Sequence, residues 1–125
     1  MKPVEARRLA IAATGLGAPR PAAARITTAH LRKVVQTVGI VQMDSVNAVA
    51  RAHELVFFSR LGPFDPKVLH DLVYRLRELY EGWLHEACLL PVELWPYLGW
   101  RRRNHGWHTA IDSPVVDEVR RIVRE

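Results

Sequence analysis

The chain has 125 residues, 49% of them apolar, which suffices for one hydrophobic core and is too apolar for a disordered segment. No apolar run approaches the roughly 20 residues a membrane-spanning helix needs, and a single cysteine, Cys88, excludes an internal disulfide and any multi-cysteine zinc or iron–sulfur site. Basic residues outnumber acidic ones 18 to 13, for a net charge of +5, and all but Lys2, Lys33 and Lys67 are arginine. Arginine pairs with phosphate through two parallel hydrogen bonds, so the balance favours a polyanionic partner, nucleic acid first. A GC-rich genome would account for the arginine preference but not for the net charge. A reducing cytoplasm is the expected compartment.

Behind Pro3, residues Ala6, Leu9, Ala10, Ala13 and Leu16 recur at helical spacing, and Gly15 and Gly17 stop this first helix. Glu5 and two arginines interrupt the apolar centre a secretory signal would need. After a loop fixed by Pro19 and Pro21, Thr27 or Thr28 caps a second helix with Leu31, Val34, Val35 and Val38 inward and Gly39 as its stop. Ile40 to Asp44 is a short extended stretch, and a third helix is expected over 45–61, with Val46, Val49, Ala50, His53 and Phe57 as its stripe and Leu55 and Phe58 covered from a second side. Asp65-Pro66 starts a fourth helix with Leu69, Leu72, Val73 and Leu76 inward.

Leu79 to Leu84 and Ala87 to Leu90 read as the arms of a hairpin joined at His85-Glu86. Pro91 to Arg103 is expected to be helical, with Trp95 and Trp100 as anchors; these and Trp83 read as core side chains rather than base-stacking surfaces. Ser113-Pro114 opens a last helix whose apolar face is Val115, Val116, Val119, Ile122 and Val123, with acids early and arginines late, as the helix dipole prefers. That stripe has no partner in the sequence that follows. It suggests residues 1–106 as one domain and 107–125 as a linker and first helix of a truncated second unit, able to pair with a neighbouring copy. Helices followed by a two-stranded element give a mainly α fold with a small β element, in the order of a winged helix-turn-helix.

Several strings, in order, resemble one family: Ala6-Arg7-Arg8-Leu9-Ala10 with Gly15-Leu16; Gly39 to Asn47, reading GIVQMDSVN; Ala50-Arg51-Ala52-His53; Ser59-Arg60-Leu61-Gly62; and Tyr80 to Pro91, reading YEGWLHEACLLP. The arrangement is similar to that of the crosslink-repair DNA glycosylases of the YcaQ/AlkZ type, also known as winged-helix DNA-binding domain proteins, over about residues 5 to 103. The resemblance implies tandem winged-helix units, a substrate of double-stranded DNA carrying purines alkylated at N7 of guanine, unhooking of interstrand crosslinks in some members, and a catalytic pair on Gln42 and Asp44. Gln-x-Asp, rather than Gln-x-Gln, matches the YcaQ branch. Proteins of that type are several times longer than this chain.

The chemistry suits that pair. N7-alkylation already charges the base, so no proton donor is needed, and bond breaking builds positive charge on the sugar. Asp44 can stabilise that charge and take a proton from water, while Gln42 holds water or sugar without titrating. Residues two apart on a strand face the same side. The bland alternative makes Asp44 an N-cap of the following helix and Gln42 an exposed strand residue. No nearby lysine offers an amine nucleophile, so a monofunctional hydrolysis is expected, with no cofactor.

Further DNA contacts are expected from Arg51, beside the Gln-Asp strand, and from Arg60, His85 and the run Arg101, Arg102 and Arg103. His85 reads equally as a turn-stabilising residue, and the arginine run equally as a solvated helix end. His53 is either a DNA contact or, given its place on the apolar stripe, a hydrogen-bonded core histidine. His105 and His108 lack a third metal ligand nearby, so no metal site is expected. The competing readings are a non-enzymatic winged-helix regulator, which would expose a recognition helix with polar side chains, and a small interaction domain whose basicity is incidental.

Overall fold

A computed structural model describes residues 1–22, 25–45, 47, 49–100 and 114–124. Packing divides the chain into two units, Met1–Leu94 and Trp95–Glu125. The fold is mainly helical with one small antiparallel sheet. In chain order the first unit holds α1 (Pro3–Ala13), α2 (Thr28–Val38), β1 (Val41–Gln42), α3 (Ala52–Leu61), α4 (Pro66–His70, continued by a π-helical turn Asp71–Arg75), β2 (Leu79–Trp83) and β3 (Ala87–Pro91). The second unit holds α5 (Pro114–Arg124).

Helix α2 forms as its sequence dictates. Thr27 caps it, the Thr27 amide donates to His30 Nδ1 at 3.1 Å, and Gly39 ends it with φ +79°, a conformation glycine adopts without a Cβ clash. Its stripe buries Leu31, Val34 and Val35 against Phe57 and Leu61 of α3, Leu69, Leu72 and Val73 of α4 and its π turn, and Val41, Leu79 and Leu89 of the sheet. Phe57 and Phe64 meet edge to face at 6.2 Å. Burying each such side chain stabilises the fold by about 1.5–3 kcal/mol relative to exposure.

The sheet order is β1-β3-β2. The β2–β3 hairpin turns at His85-Glu86, where the Leu84 amide donates to the Glu86 carbonyl at 2.9 Å. Strand β1 adds to the far side of β3, Val41 opposite Leu89 and Gln42 opposite Cys88. Opposed residues share a face. Val41, Leu89 and Glu81 therefore lie on the side of the helices, and Gln42, Cys88 and Gly82 on the other.

Several expectations are corrected. Helix α3 begins at Ala52 rather than Ser45; Asn47 instead bridges to Arg51, and Val49 is 94% exposed. Ser45 and Asn47 compete with helical backbone bonds, and exposed β-branched Val49 gains no burial to offset its poor helix propensity. Leu55 and Phe58 are exposed rather than covered. The π turn, closed by Leu76 N–H to the Asp71 carbonyl at 2.8 Å, adds a residue to the turn and rotates Leu76 out of its inward stripe. Helix α1 forms, but none of its residues is buried.

Over 92–98 the continuous helix expected from Pro91 is broken into two 3₁₀ turns, Val92–Leu94 and Pro96–Leu98; Gly99 and Trp100 are α-helical, and the rest of that span lies outside the described residues. Pro91 is still paired in β3, and Pro96 has no amide hydrogen to extend a preceding turn. Trp83, Trp95 and Trp100 are about half exposed, not core. In α5, Arg120 pairs with Asp117 and Arg121 with Glu118, while Val119, Ile122 and Val123 are exposed. No helix among the described residues is long and apolar enough to cross a membrane.

Candidate active site

The segment carrying Gln42 and Asp44 is fixed through its backbone. Strand β1 is only two residues long, but the Met43 amide extends the pairing by donating to the Ala87 carbonyl at 2.7 Å. Val41 is buried and Met43 packs against the core, so the apolar members of the alternation anchor the polar ones. Gln42 and Asp44 are both exposed. Asp44 is not a helix cap: Arg51 holds the N-cap position of α3.

The hairpin turn meets this segment. His85, also exposed, places Nε2 3.3 Å from Gln42 Oε1. The register explains the contact, because Gln42 opposite Cys88 sits beside the end of the hairpin where residues 84–86 reverse the chain. The structure thus brings together two sequence-predicted residues 43 positions apart.

On the helical side of the sheet lies a second group. Tyr74, from the π turn, donates its phenolic hydrogen to Glu81 Oε1, and that bond, with a smaller effect of burial, raises the Tyr74 phenol above its ordinary range. Arg51 and Glu81 are both within electrostatic reach of His53. His53 is a core histidine, 7% exposed, and its Nδ1 has no hydrogen-bond partner among the described residues. Burial holds its imidazole below the usual histidine range, against the opposing pull of Glu54. Arg51 is exposed at the start of α3.

Glu81 was not singled out in the sequence. Its signal is phase: it alternates with Leu79 and Trp83, so a carboxylate stands on the face that also carries buried Leu79.

Arg60 is committed within the fold. Its guanidinium donates to the Thr14 carbonyl (2.7 Å), the Val56 carbonyl (2.7 Å) and Ser59 Oγ (3.2 Å), tying the end of α1 to α3. Arg101, Arg102 and Arg103, with His105 and His108, lie outside the described residues. Among the described residues no cluster of three or more His, Cys, Asp or Glu side chains is placed to hold a metal ion.

An exposed carboxylate and carboxamide on one pinned backbone segment, with an imidazole against the amide, can stabilise a nearby cation and orient a water molecule. Residues 35–125 match the family model described as DNA glycosylase AlkZ-like. No solved structure matches the chain.

Proposed function

Because the chain belongs to the DNA glycosylase AlkZ-like family, we propose that it is the N-terminal part of a monofunctional glycosylase releasing cationic alkylated purines, of the N7-alkylguanine type, from double-stranded DNA. The observation that carries this reading is the exposure of both Gln42 and Asp44 on a backbone pinned to β3 through Met43.

The proposed reaction is hydrolysis at C1′ of the damaged nucleotide. The bond from C1′ to N9 breaks and its electron pair leaves with the base, cancelling the charge that alkylation put there. The sugar becomes oxocarbenium-like, and Asp44 stabilises it at close range. Water attacks C1′ and passes a proton to Asp44, while Gln42 positions the water or the sugar. Only one carboxylate is needed because the leaving group requires no acid. Arg51 and the Arg101–Arg103 run contact DNA phosphates, in a cell compartment where the nucleoid is accessible. The order α2, β1, α3, α4, β2, β3 supports a winged-helix reading of the first unit, and the exposed Val119, Ile122 and Val123 support self-association through α5.

The regulator reading is less well supported, since Lys67 and Arg75 of α4 and its π turn both pair with Asp71 rather than presenting unpaired cations to base edges. The test is to incubate the full-length protein with duplex DNA containing N7-methylguanine and to count abasic sites. Asp44→Asn is expected to lower release by about 10²-fold or more. Equal release by the two proteins rejects the mechanism.

A further inference from the structure

The contact between the hairpin turn and β1 has a direction that the chemistry of its atoms decides. A carboxamide oxygen only accepts hydrogen bonds. Gln42 Oε1 lies 3.3 Å from His85 Nε2, so a hydrogen bond between these two atoms requires the hydrogen on Nε2, with His85 as the donor. One lone pair of the Gln42 oxygen is then engaged, and its NH2 group is the end turned away from the histidine. This divides the work of the pair: Asp44 is the acceptor, and Gln42 a donor toward an oxygen of the water or sugar.

We propose that His85 is a positioning residue, whose Nε2–H bond to Gln42 Oε1 orients the Gln42 carboxamide so that its NH2 group faces the reacting nucleotide. The proposal rests on the glycosylase reading given above for what the amide then contacts; the bond itself does not depend on it. His85 sits on a turn fixed by its own backbone bond, Leu84 to Glu86, and that turn leads into β3, whose register with Gln42 is set by the β1–β3 ladder. Both side chains are exposed, so the bond contributes little to folding. Its value lies in orientation, where a misplaced polar group costs rate rather than stability.

Two measurements on the full-length protein test it. Long-range proton–nitrogen NMR without DNA is expected to show His85 in the Nε2–H tautomer, and His85→Ala is expected to shift the Gln42 side-chain NH2 resonances. A His85 Nδ1–H tautomer, or unshifted Gln42 resonances, overturns the proposal.

With N7-methylguanine duplex, His85→Ala is expected to lower kcat about 10-fold, with DNA affinity and its salt dependence unchanged and the thermal midpoint held. His85→Gln, which keeps an N–H donor, restores most of the loss. His85→Ala adds nothing in a Gln42→Ala background, because both remove the same oriented amide. Gln42→Glu, which still accepts from His85 but has no N–H, is as impaired as Gln42→Ala.

If His85 instead contacts a phosphate, its loss adds to that of Gln42→Ala and lowers the salt slope of binding by about one; that result overturns the proposal, as does full activity of Gln42→Glu. A wild-type protein that releases no base yet shows the expected tautomer and shift rejects the glycosylase reading and supports the His85–Gln42 bond.

Discussion

Arg32 and Glu78 are joined by two parallel hydrogen bonds, 2.5 Å from Nε and 2.6 Å from Nη2, which fasten α2 to the chain entering β2. The fork geometry matches the two carboxylate oxygens one to one. The Arg32 bond holds the Glu78 carboxyl below the usual carboxylate range. A carboxyl whose value is lowered by folding contributes stability above its unfolded value, near 4.3, and that contribution is lost as pH falls through the lower, folded value. Glu78→Gln is expected to lower the thermal midpoint at pH 7 by no more than about 4 °C, since both side chains are partly solvated. The difference from wild type is expected to vanish toward pH 2 in a series of melting curves.

The buried His53 predicts the opposite kind of variant. Its imidazole is held neutral by burial, so the unfolded chain takes up a proton near pH 6.5, before the folded chain does. The fold therefore loses stability as pH falls below about 6.5, until the folded imidazole also protonates. His53→Leu removes both this titration and an unpartnered Nδ1. Chemical denaturation is expected to give an unfolding free energy no lower than wild type at pH 7 and a shallower decline from pH 6.5 to 5.

Gly82 stands where a methyl group has no room. A Cβ there would lie 2.7 Å from Leu90 Cδ1 and 2.9 Å from Tyr80 Cε2. Gly82→Ala is expected to destabilise the fold by about 1–3 kcal/mol through overpacking, measured by urea unfolding. Gly39→Ala is the contrast: a Cβ meets nothing within 4 Å, and only the positive φ opposes it.

Arg60→Ala is expected to release α1. The helix buries nothing of its own, and the Arg60 bond to the Thr14 carbonyl is a direct tie to the end of it. Hydrogen exchange should quicken over residues 5–15, with loss of about 1–2 kcal/mol of stability. If Arg60 also serves DNA, the salt slope of binding falls as well; if it serves only the fold, the slope stays.

Much of the first unit was legible from local pattern. Helix α2 combined a capping threonine, a clean stripe and a terminal glycine, and the hairpin had two apolar runs around a polar pair. The failures share one cause: periodicity records spacing, not whether a partner surface exists. Val49, His53 and Phe57 fit one helical face, yet only the last two are inside, because Val49 has no element over it. Tryptophan size suggested core, and all three candidates are half exposed. For the site, Gln42 and Asp44 were named from motif resemblance and His85 from its place between two strand runs, but the meeting of Gln42 with His85 depends on β1 joining β3, a pairing no local signal encodes. The Tyr74–Glu81 bond was missed for the same reason.

Strand β1 reaches the sheet through β3 alone, with some 46 residues between their paired positions. The hairpin can form early from neighbouring residues, whereas docking of β1 closes a long loop and comes at a greater entropic cost. A partly refolded chain would keep its hairpin and most of its helix while Gln42 and His85 remained apart. Recovery of the Gln42–His85 contact during refolding is accordingly a marker of completed assembly, one that circular dichroism would register too soon.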